Sequence, residues 1–267
     1  ASIYFYQRYC ENIWNQILVH GVVTCSTGNF AKALSNIGKN AGFYLNAIIP
    51  NTADKYKVNS ILEYSNTNIQ SVPYSLWKNA IIQNKYELHD GFFISTVMND
   101  FVSIGNASIG IELLEDLPEI SSIIVPYGGG NLVYSLALFF KIVKPSVDIY
   151  TVEVSTGAPF NASFKANKVV DVNYINSFVD GIGASFVIPE QYERIKPLVK
   201  DSLVVSPAEI ADIIVDISKI GIIAEGAGAA SIAAFNKYQI KEPCCSIVTG
   251  GNISQKTLKN IFDNKNK

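Results

Sequence analysis

Glycine-bearing turns at the ends of predicted strands constrain the fold of this chain more than any other feature. Each of three such turns follows a short apolar run that predicts a buried strand. They are Ser26-Thr27-Gly28-Asn29, Gly128-Gly129-Gly130-Asn131 and Thr249-Gly250-Gly251-Asn252. Glycine lets the backbone approach a ligand closely, and successive amides at a helix start form an anion site. The pattern predicts an α/β protein whose parallel sheets are covered by helices.

Strands and helices alternate along the chain in two sets. The first set has predicted strands near residues 22–25, 45–49, 69–72 and 92–95. The second has predicted strands near residues 123–125, 148–154 and 246–248. One helix start is marked clearly at Ser206-Pro207-Ala208-Glu209, which offers an N-cap, a first-turn proline and a capping-box glutamate.

Composition excludes several classes of function. Charged residues make up 16% of the chain and hydrophobic residues 48%, so we expect a large core. The net charge of −2 and the lack of a basic run argue against nucleic-acid binding. Four cysteines without a C-x-x-C pair and two histidines leave little for disulfides, histidine metal sites or Ser-His-Asp catalysis. The cysteine usage fits a reducing setting, so we expect a cytoplasmic protein. No apolar stretch is long enough to span a bilayer.

The middle glycine turn is the best candidate for a binding site. It lies in Pro126-Tyr127-Gly128-Gly129-Gly130-Asn131-Leu132, between a predicted strand and a predicted helix. Bare amides and the helix dipole there favour an anion such as a phosphate, although a tight turn without a ligand is an alternative. No Gly-Lys-Ser/Thr follows, so the segment is not a P-loop.

Taken together, the motifs resemble those of the serine/threonine dehydratase and serine racemase family of pyridoxal-phosphate enzymes. The glycine turn resembles the phosphate loop of that family, and matching segments flank it in the same order. They are Gly105-Asn106-Ala107-Ser108-Ile109-Gly110-Ile111-Glu112, Asp180-Gly181-Ile182 and Ala224-Glu225-Gly226-Ala227-Gly228-Ala229-Ala230. The resemblance runs from about Gly21 to Asn252. It implies a tryptophan synthase β-like fold (fold type II) and pyridoxal 5'-phosphate as cofactor.

The resemblance also implies two domains, each with a mainly parallel sheet flanked by helices. We expect a small domain at residues 21–99. The large cofactor-binding domain would comprise residues 1–20 and 100–267 and would be incomplete at its N-terminus, with the cofactor in the cleft. The implied partners are a small amino-acid substrate and a second copy in a homodimer, without nucleic acid or membrane.

Site roles follow from the resemblance position by position. The loop Ser26-Thr27-Gly28-Asn29 would hold the substrate carboxylate, and Asn29 would also bond the cofactor's ring oxygen. Phe30 would lie in the substrate-binding site without offering a polar contact. The cofactor phosphate would be held by Gly128, Gly129, Gly130 and Asn131. Gly181 would lie beside the ring, and Thr249 would meet the pyridine nitrogen. Thr27 stands where the racemases have a proton-carrying serine, which makes it the candidate catalytic residue.

Thr249 indicates the kind of reaction. A hydroxyl cannot keep the ring nitrogen protonated as a carboxylate would, so the ring is a milder electron sink. This favours loss of a β-leaving group over transamination, and the inferred reaction is dehydration of L-serine or L-threonine. The alternative for Thr249 is a hydroxyl that caps a helix.

Several positions depart from the family pattern. Thr27 adds a methyl group, Phe30 replaces a histidine, and Asn131 stands where a fourth glycine is usual. Glu153 and the Gly157 carbonyl match a divalent-cation site of some relatives, but Pro159 replaces a carboxylate ligand there. Hard cations need several oxygen ligands, so we expect no metal.

The Schiff-base lysine of the family has no counterpart in the sequence. Either Tyr4 occupies its position or the chain begins at or after it, and Lys32 is expected on a helix surface. Two hypotheses follow: an enzyme whose lysine-bearing segment is missing from this chain, or an inactive relative that binds pyridoxal phosphate, a metabolite or an active subunit. A racemase or β-replacement enzyme is a weaker alternative. We expect the 267-residue chain alone to show no dehydratase activity.

Overall fold

The computed structural model describes residues 2–26, 28–53 and 55–265. The chain forms two compact units, Ala1–Gly105 (unit 1) and Asn106–Lys267 (unit 2). Residues 2–20 pack within unit 1, whose core buries Ile3, Tyr6 and Ile17. The predicted division into domains of residues 21–99 and of residues 1–20 with 100–267 stays a prediction.

Unit 1 contains a parallel four-stranded sheet in the order β3-β2-β1-β4. Its strands are β1 (Val22–Thr24), β2 (Leu45–Pro50), β3 (Thr67–Val72) and β4 (Phe92–Phe93). Its helices are α1 (Ser2–Tyr9), α2 (Glu11–His20), α3 (Asn29–Ala41), α4 (Lys55–Leu62) and α5 (Tyr74–Ile82), and α6 (Asp100–Asp116) begins there.

Unit 2 contains a second parallel four-stranded sheet, in the order β7-β6-β5-β8. Its strands are β5 (Ser122–Pro126), β6 (Asp148–Val154), β7 (Asp201–Val205) and β8 (Cys244–Ser246). Its helices are α7 (Asn131–Val143), α8 (Pro159–Ala166), α9 (Pro189–Ile195), α10 (Pro207–Ser218), α11 (Gly226–Lys237) and α12 (Gln255–Lys265).

Both faces of the unit 2 sheet are buried. Side chains alternate across a strand, and in β5 Ile124 belongs to one hydrophobic cluster while Ile123 and Val125 belong to another. Strands of a sheet that is covered by helices on both faces have nearly continuous apolar sequences, as β5 does. The predicted α/β architecture with parallel sheets is therefore confirmed.

The structure differs from the sequence prediction in some elements of unit 2. Strand β8 lies at Cys244–Ser246 rather than at residues 246–248, although the Ile247 amide still donates to the Ile124 carbonyl at 3.1 Å. Strand β7 and helices α8 and α9 were not predicted. No helix in the described ranges combines the length and apolar character needed to cross a membrane.

The predicted start of α10 is confirmed, and it supports a stability prediction. Ser206 Oγ accepts from the Glu209 amide at 3.2 Å, and Glu209 Oε2 accepts from the Ser206 amide at 2.6 Å. Ser206→Ala is expected to lower the free energy of unfolding by about 1 kcal/mol, because one helix-start amide loses its acceptor. Urea unfolding followed by far-UV circular dichroism measures this loss. Ser206→Asn keeps a capping oxygen, and an equal loss in that control would contradict the explanation.

Candidate functional site

The glycine loop, residues 128–130, joins the carboxyl end of β5 to the start of α7. Before the loop, the Tyr127 amide donates to the Val152 carbonyl at 2.9 Å, which continues the pairing of β5 with β6. Gly130 has φ +88°, a left-handed conformation that favours glycine. After the loop, Ser135 Oγ donates to the Asn131 carbonyl at 2.6 Å inside the first turn of α7. The loop is thus anchored on both sides.

The amides of the glycine loop are available to a ligand. Within the described part of the chain, those of Gly128, Gly129 and Gly130 donate to no protein acceptor. Gly129 is exposed and Gly128 is half-buried, so an anion in solution can reach them. Unsatisfied amides together with the positive end of a helix dipole bind phosphate groups.

Backbone packing brings further predicted site residues of unit 2 to the glycine loop. A Cβ atom added at Gly128 would lie 2.5 Å from the Gly181 carbonyl oxygen. One added at Gly181 would lie 2.9 Å from Ala227 Cβ, in the first turn of α11. The glycine loop, the segment at Gly181 and the start of α11 therefore pack closely against one another. Side chains at the two glycines would prevent this packing.

The start of α11 also meets the turn after β8. The Glu225 amide donates to the Gly250 carbonyl at 2.9 Å. A Cβ atom added at Gly228 would lie 2.5 Å from the same oxygen. Gly250 follows Thr249 directly, so Thr249 belongs to the same set of packed segments as Gly128 and Gly181.

The structure argues against a helix-capping role for Thr249. Helix α12 begins at Gln255, and the capping hydroxyl is Ser254 Oγ, which accepts from the Thr257 amide at 3.1 Å. Thr249 is exposed, and in the described part of the chain its hydroxyl has no hydrogen-bond partner. This hydroxyl is therefore available to a ligand.

Glu153 has a buried carboxyl group near the end of β6, and the residue is only 1% exposed. Its Oε1 accepts from the Phe160 amide at 3.1 Å and its Oε2 from the Asn161 amide at 2.6 Å, both at the start of α8. Burial raises the pKa of Glu153 to about 8, against the lowering effect of these two amides. Among the described residues, no group of three or more histidine, cysteine, aspartate or glutamate side chains is placed to hold a metal ion.

The first glycine turn lies in unit 1, between β1 and α3. The Gly28 amide donates to Ser26 Oγ at 3.4 Å, and a Cβ atom added at Gly28 would meet open space. Asn29, the first residue of α3, is exposed, and Phe30 packs against the hydrophobic core of unit 1. Thr27, the candidate catalytic residue, lies outside the described residues.

The two positions considered for a lysine also lie in unit 1. Tyr4 is 65% exposed on α1. Lys32 Nζ lies 3.8 Å from Glu63 Oε2, with 38% of the lysine side chain exposed. Lys32 therefore forms a surface ion pair in this structure.

One set of contacts near the glycine loop was missed by the sequence analysis. The Tyr127 ring stacks on the Phe160 ring with centroids 4.4 Å apart. Burial, with a smaller contribution from Glu153, raises the pKa of Tyr127. The sequence pattern indicates for Glu153 only a match to a divalent-cation site. Its contacts could not be inferred, because α8 was not predicted and its amides are the partners.

Comparisons with known proteins concern the family and the fold of the chain. The family model described as pyridoxal-phosphate dependent enzyme matches residues 11–250. The catabolic L-threonine dehydratase of Escherichia coli K12 is 29% identical over 247 residues, which cover 90% of this chain and 75% of that protein. The serine racemase of Arabidopsis thaliana is 30% identical over 260 residues, which cover 91% of this chain and 76% of that protein.

Solved structures show the same fold. Maize serine racemase has a TM-score of 0.81 at 26% identity, covering 96% of this chain and 81% of that one. The processed form of threonine deaminase isoform 2 from Solanum lycopersicum has a TM-score of 0.80 at 21% identity, covering 98% and 77%. The second likeness concerns the fold alone. Together these findings confirm the predicted resemblance and the fold type II architecture.

Proposed function

The chain belongs to the family of pyridoxal-phosphate dependent enzymes, and on this premise we propose that it is built for dehydration of L-serine or L-threonine. The β-hydroxyl leaves as water, and a water is taken up again when the amino group leaves as ammonia. The net reaction converts the amino acid into a 2-oxo acid and ammonia. The observation that carries the proposal is the glycine loop, whose three amides have no protein acceptor within the described residues.

The residues of unit 2 fit the cofactor of this family. Gly128, Gly129 and Gly130 present amides at the start of α7, which suits a phosphate of charge near −2. Asn131 belongs to the same proposed phosphate site, and Gly181 is proposed to lie beside the cofactor ring. When bound, pyridoxal phosphate supplies an electron sink that lets a Cα–H bond ionise.

Thr249 is the basis for proposing elimination. Its exposed hydroxyl would bond the pyridine nitrogen without adding a charge there. A neutral partner leaves the cofactor a weaker electron sink, and weaker delocalisation favours prompt departure of a β-hydroxyl. Threonine dehydratases among the relatives support this choice, and serine racemase among them keeps racemisation as an alternative.

Residues of unit 1 are proposed to handle the substrate. Ser26 and Gly28 would hold the substrate carboxylate, with Thr27 beside them as a proton carrier. Asn29 would orient the cofactor through its ring oxygen. Phe30, which packs into the core of unit 1, would contribute an apolar wall instead of a polar contact.

A second proposal concerns the 267-residue chain by itself and rests on its lysines. No lysine of this sequence precedes Lys32, and Lys32 forms an ion pair with Glu63. We therefore propose that the 267-residue chain alone binds the cofactor without turning over substrate.

A paired assay tests both proposals. The chain and the protein purified from its native source are incubated with pyridoxal phosphate and L-threonine or L-serine, and ammonia and 2-oxo acid are quantified. We expect equimolar products from the native protein and none from the chain alone above a cofactor-only control. Turnover by the chain alone would contradict its proposed inactivity. A native protein of 29.2 kDa that gives no product would instead favour an inactive, cofactor-binding relative over a dehydratase.

A further inference from the structure

Glu153 is a buried group that the proposed reaction does not use. It lies at the carboxyl end of β6, and both of its oxygens accept amides from the first turn of α8, Phe160 at 3.1 Å and Asn161 at 2.6 Å. A carboxylate that accepts two amides at a helix start fixes where that helix begins. The Asn161 side chain donates in turn to the Ser202 carbonyl of β7, which holds the same turn against the sheet.

The first turn of α8 is connected to the glycine loop through two aromatic rings. Phe160 is fully buried and stacks on Tyr127, with an interplanar angle of 27°. A Cβ atom added at Gly130 would lie 3.2 Å from Tyr127 Cε2 and 3.3 Å from its hydroxyl oxygen, so ring and glycine are close neighbours. Stacked, buried rings move little, because displacing one opens a void in a close-packed core.

We propose that Glu153 is a positioning residue for the cofactor phosphate. It holds the first turn of α8, the turn holds Phe160 against Tyr127, and Tyr127 sets the conformation of the glycine loop. The inference rests on the proposed role of that loop in phosphate binding. It concerns a residue that touches neither cofactor nor substrate and acts only through these contacts.

The test compares two ligands that differ by the phosphate group. Dissociation constants for pyridoxal phosphate and for pyridoxal are measured by equilibrium dialysis on the 267-residue chain at pH 9, where the Glu153 carboxyl group is ionised because its pKa is about 8. In Glu153→Gln one oxygen still accepts an amide, but the side-chain NH₂ group faces the other amide as a second donor. We expect its affinity for pyridoxal phosphate to fall about tenfold, the loss typical of one charge-assisted hydrogen bond, with pyridoxal changed less than about twofold.

Glu209→Gln is the matched control. Glu209 also belongs to unit 2 and also accepts a helix-start amide, that of Ser206. It lies at α10, and among the described residues its side chain bonds with Ser206 and Lys237 and not with the glycine loop. This control is expected to leave both dissociation constants unchanged.

Phe160→Leu is the second variant, which keeps an apolar side chain but removes the stack on Tyr127. We expect about a threefold loss of affinity that is again specific to the phosphate.

The outcomes separate this inference from the proposed function. An equal loss for both ligands in Glu153→Gln, or no loss for either, overturns the positioning role. If Glu153→Gln does not fold, Phe160→Leu decides, and a variant without a phosphate-specific loss overturns the inference. If the unmodified chain binds pyridoxal phosphate no better than pyridoxal, the phosphate site itself fails, and the inference fails with it.

Discussion

Replacing Gly128 by alanine is expected to weaken the binding of pyridoxal phosphate by about 100-fold. The added Cβ would lie 2.5 Å from the Gly181 carbonyl oxygen, a backbone atom that cannot swing aside as a side chain can. The glycine loop must therefore shift, and its amides lose their common direction. Loss of one or two charge-assisted hydrogen bonds to a phosphate corresponds to a fall of this size. Equilibrium dialysis or the change in cofactor absorbance measures it.

Gly42→Ala is the control for this variant. Gly42 ends α3 in unit 1 with φ +85°, and a Cβ atom there meets no neighbour within 4 Å. The substitution is expected to cost about 1 kcal/mol of stability through backbone strain while cofactor affinity stays unchanged. If Gly128→Ala binds pyridoxal phosphate as tightly as the unmodified chain does, the proposed phosphate site is wrong.

The free energy of unfolding of unit 2 is expected to fall as the pH rises from about 4.5 to about 8. Burial raises the pKa of Glu153 from 4.5 to about 8, so in this window the folded state holds a proton that the unfolded state has released. The stabilisation that Glu153 contributes is fully present below its pKa in the unfolded state. It is lost as the pH rises through its pKa in the folded state. One group of this kind gives a slope of at most about 1.4 kcal/mol per pH unit.

Urea unfolding at several pH values measures this slope, and Glu153→Gln is expected to flatten it. Trp14 and Trp77 are the only tryptophans and both lie in unit 1, so their fluorescence reports that unit while circular dichroism reports both. Glu209→Gln should keep the slope. Partial burial favours a higher pKa for Glu209, but its hydrogen bonds with Ser206 and Lys237 lower the pKa below 4.5, outside the window. A slope that persists in Glu153→Gln would contradict the assignment.

The sequence predicted the elements that have strong local signals. Apolar runs ending in glycine turns located β1 and β5, and the Ser206 capping box located the start of α10. Strand β7, Asp201–Val205, begins with a charged and a hydroxyl residue, so its pattern was too weak to predict it. The helix α8 has eight residues, of which Asn161 and Ser163 are polar yet buried, so it lacks the usual polar and apolar faces.

The sequence predicted which residues form the candidate site but not which contacts they make. Spacing and resemblance pointed to Gly128, Gly181 and Thr249, and the structure packs their segments together. The link from Glu153 through Phe160 to Tyr127 depends on side-chain geometry across elements far apart in the chain. No local pattern encodes such a link, which is why a strand-end glutamate gave no sign of it.

The packing of glycine segments against one another has a consequence for how this chain tolerates mutation. The contacts of Gly128 with Gly181 and of Gly228 with Gly250 are made by main-chain atoms. We therefore expect substitutions at exposed positions elsewhere to leave the geometry of these segments intact, and substitutions of Gly128 or Gly228 to disturb it. A saturation mutagenesis library selected for cofactor binding should show a few invariant glycines surrounded by permissive positions. Such a pattern lets related sequences change their chemistry by altering side chains around a constant backbone.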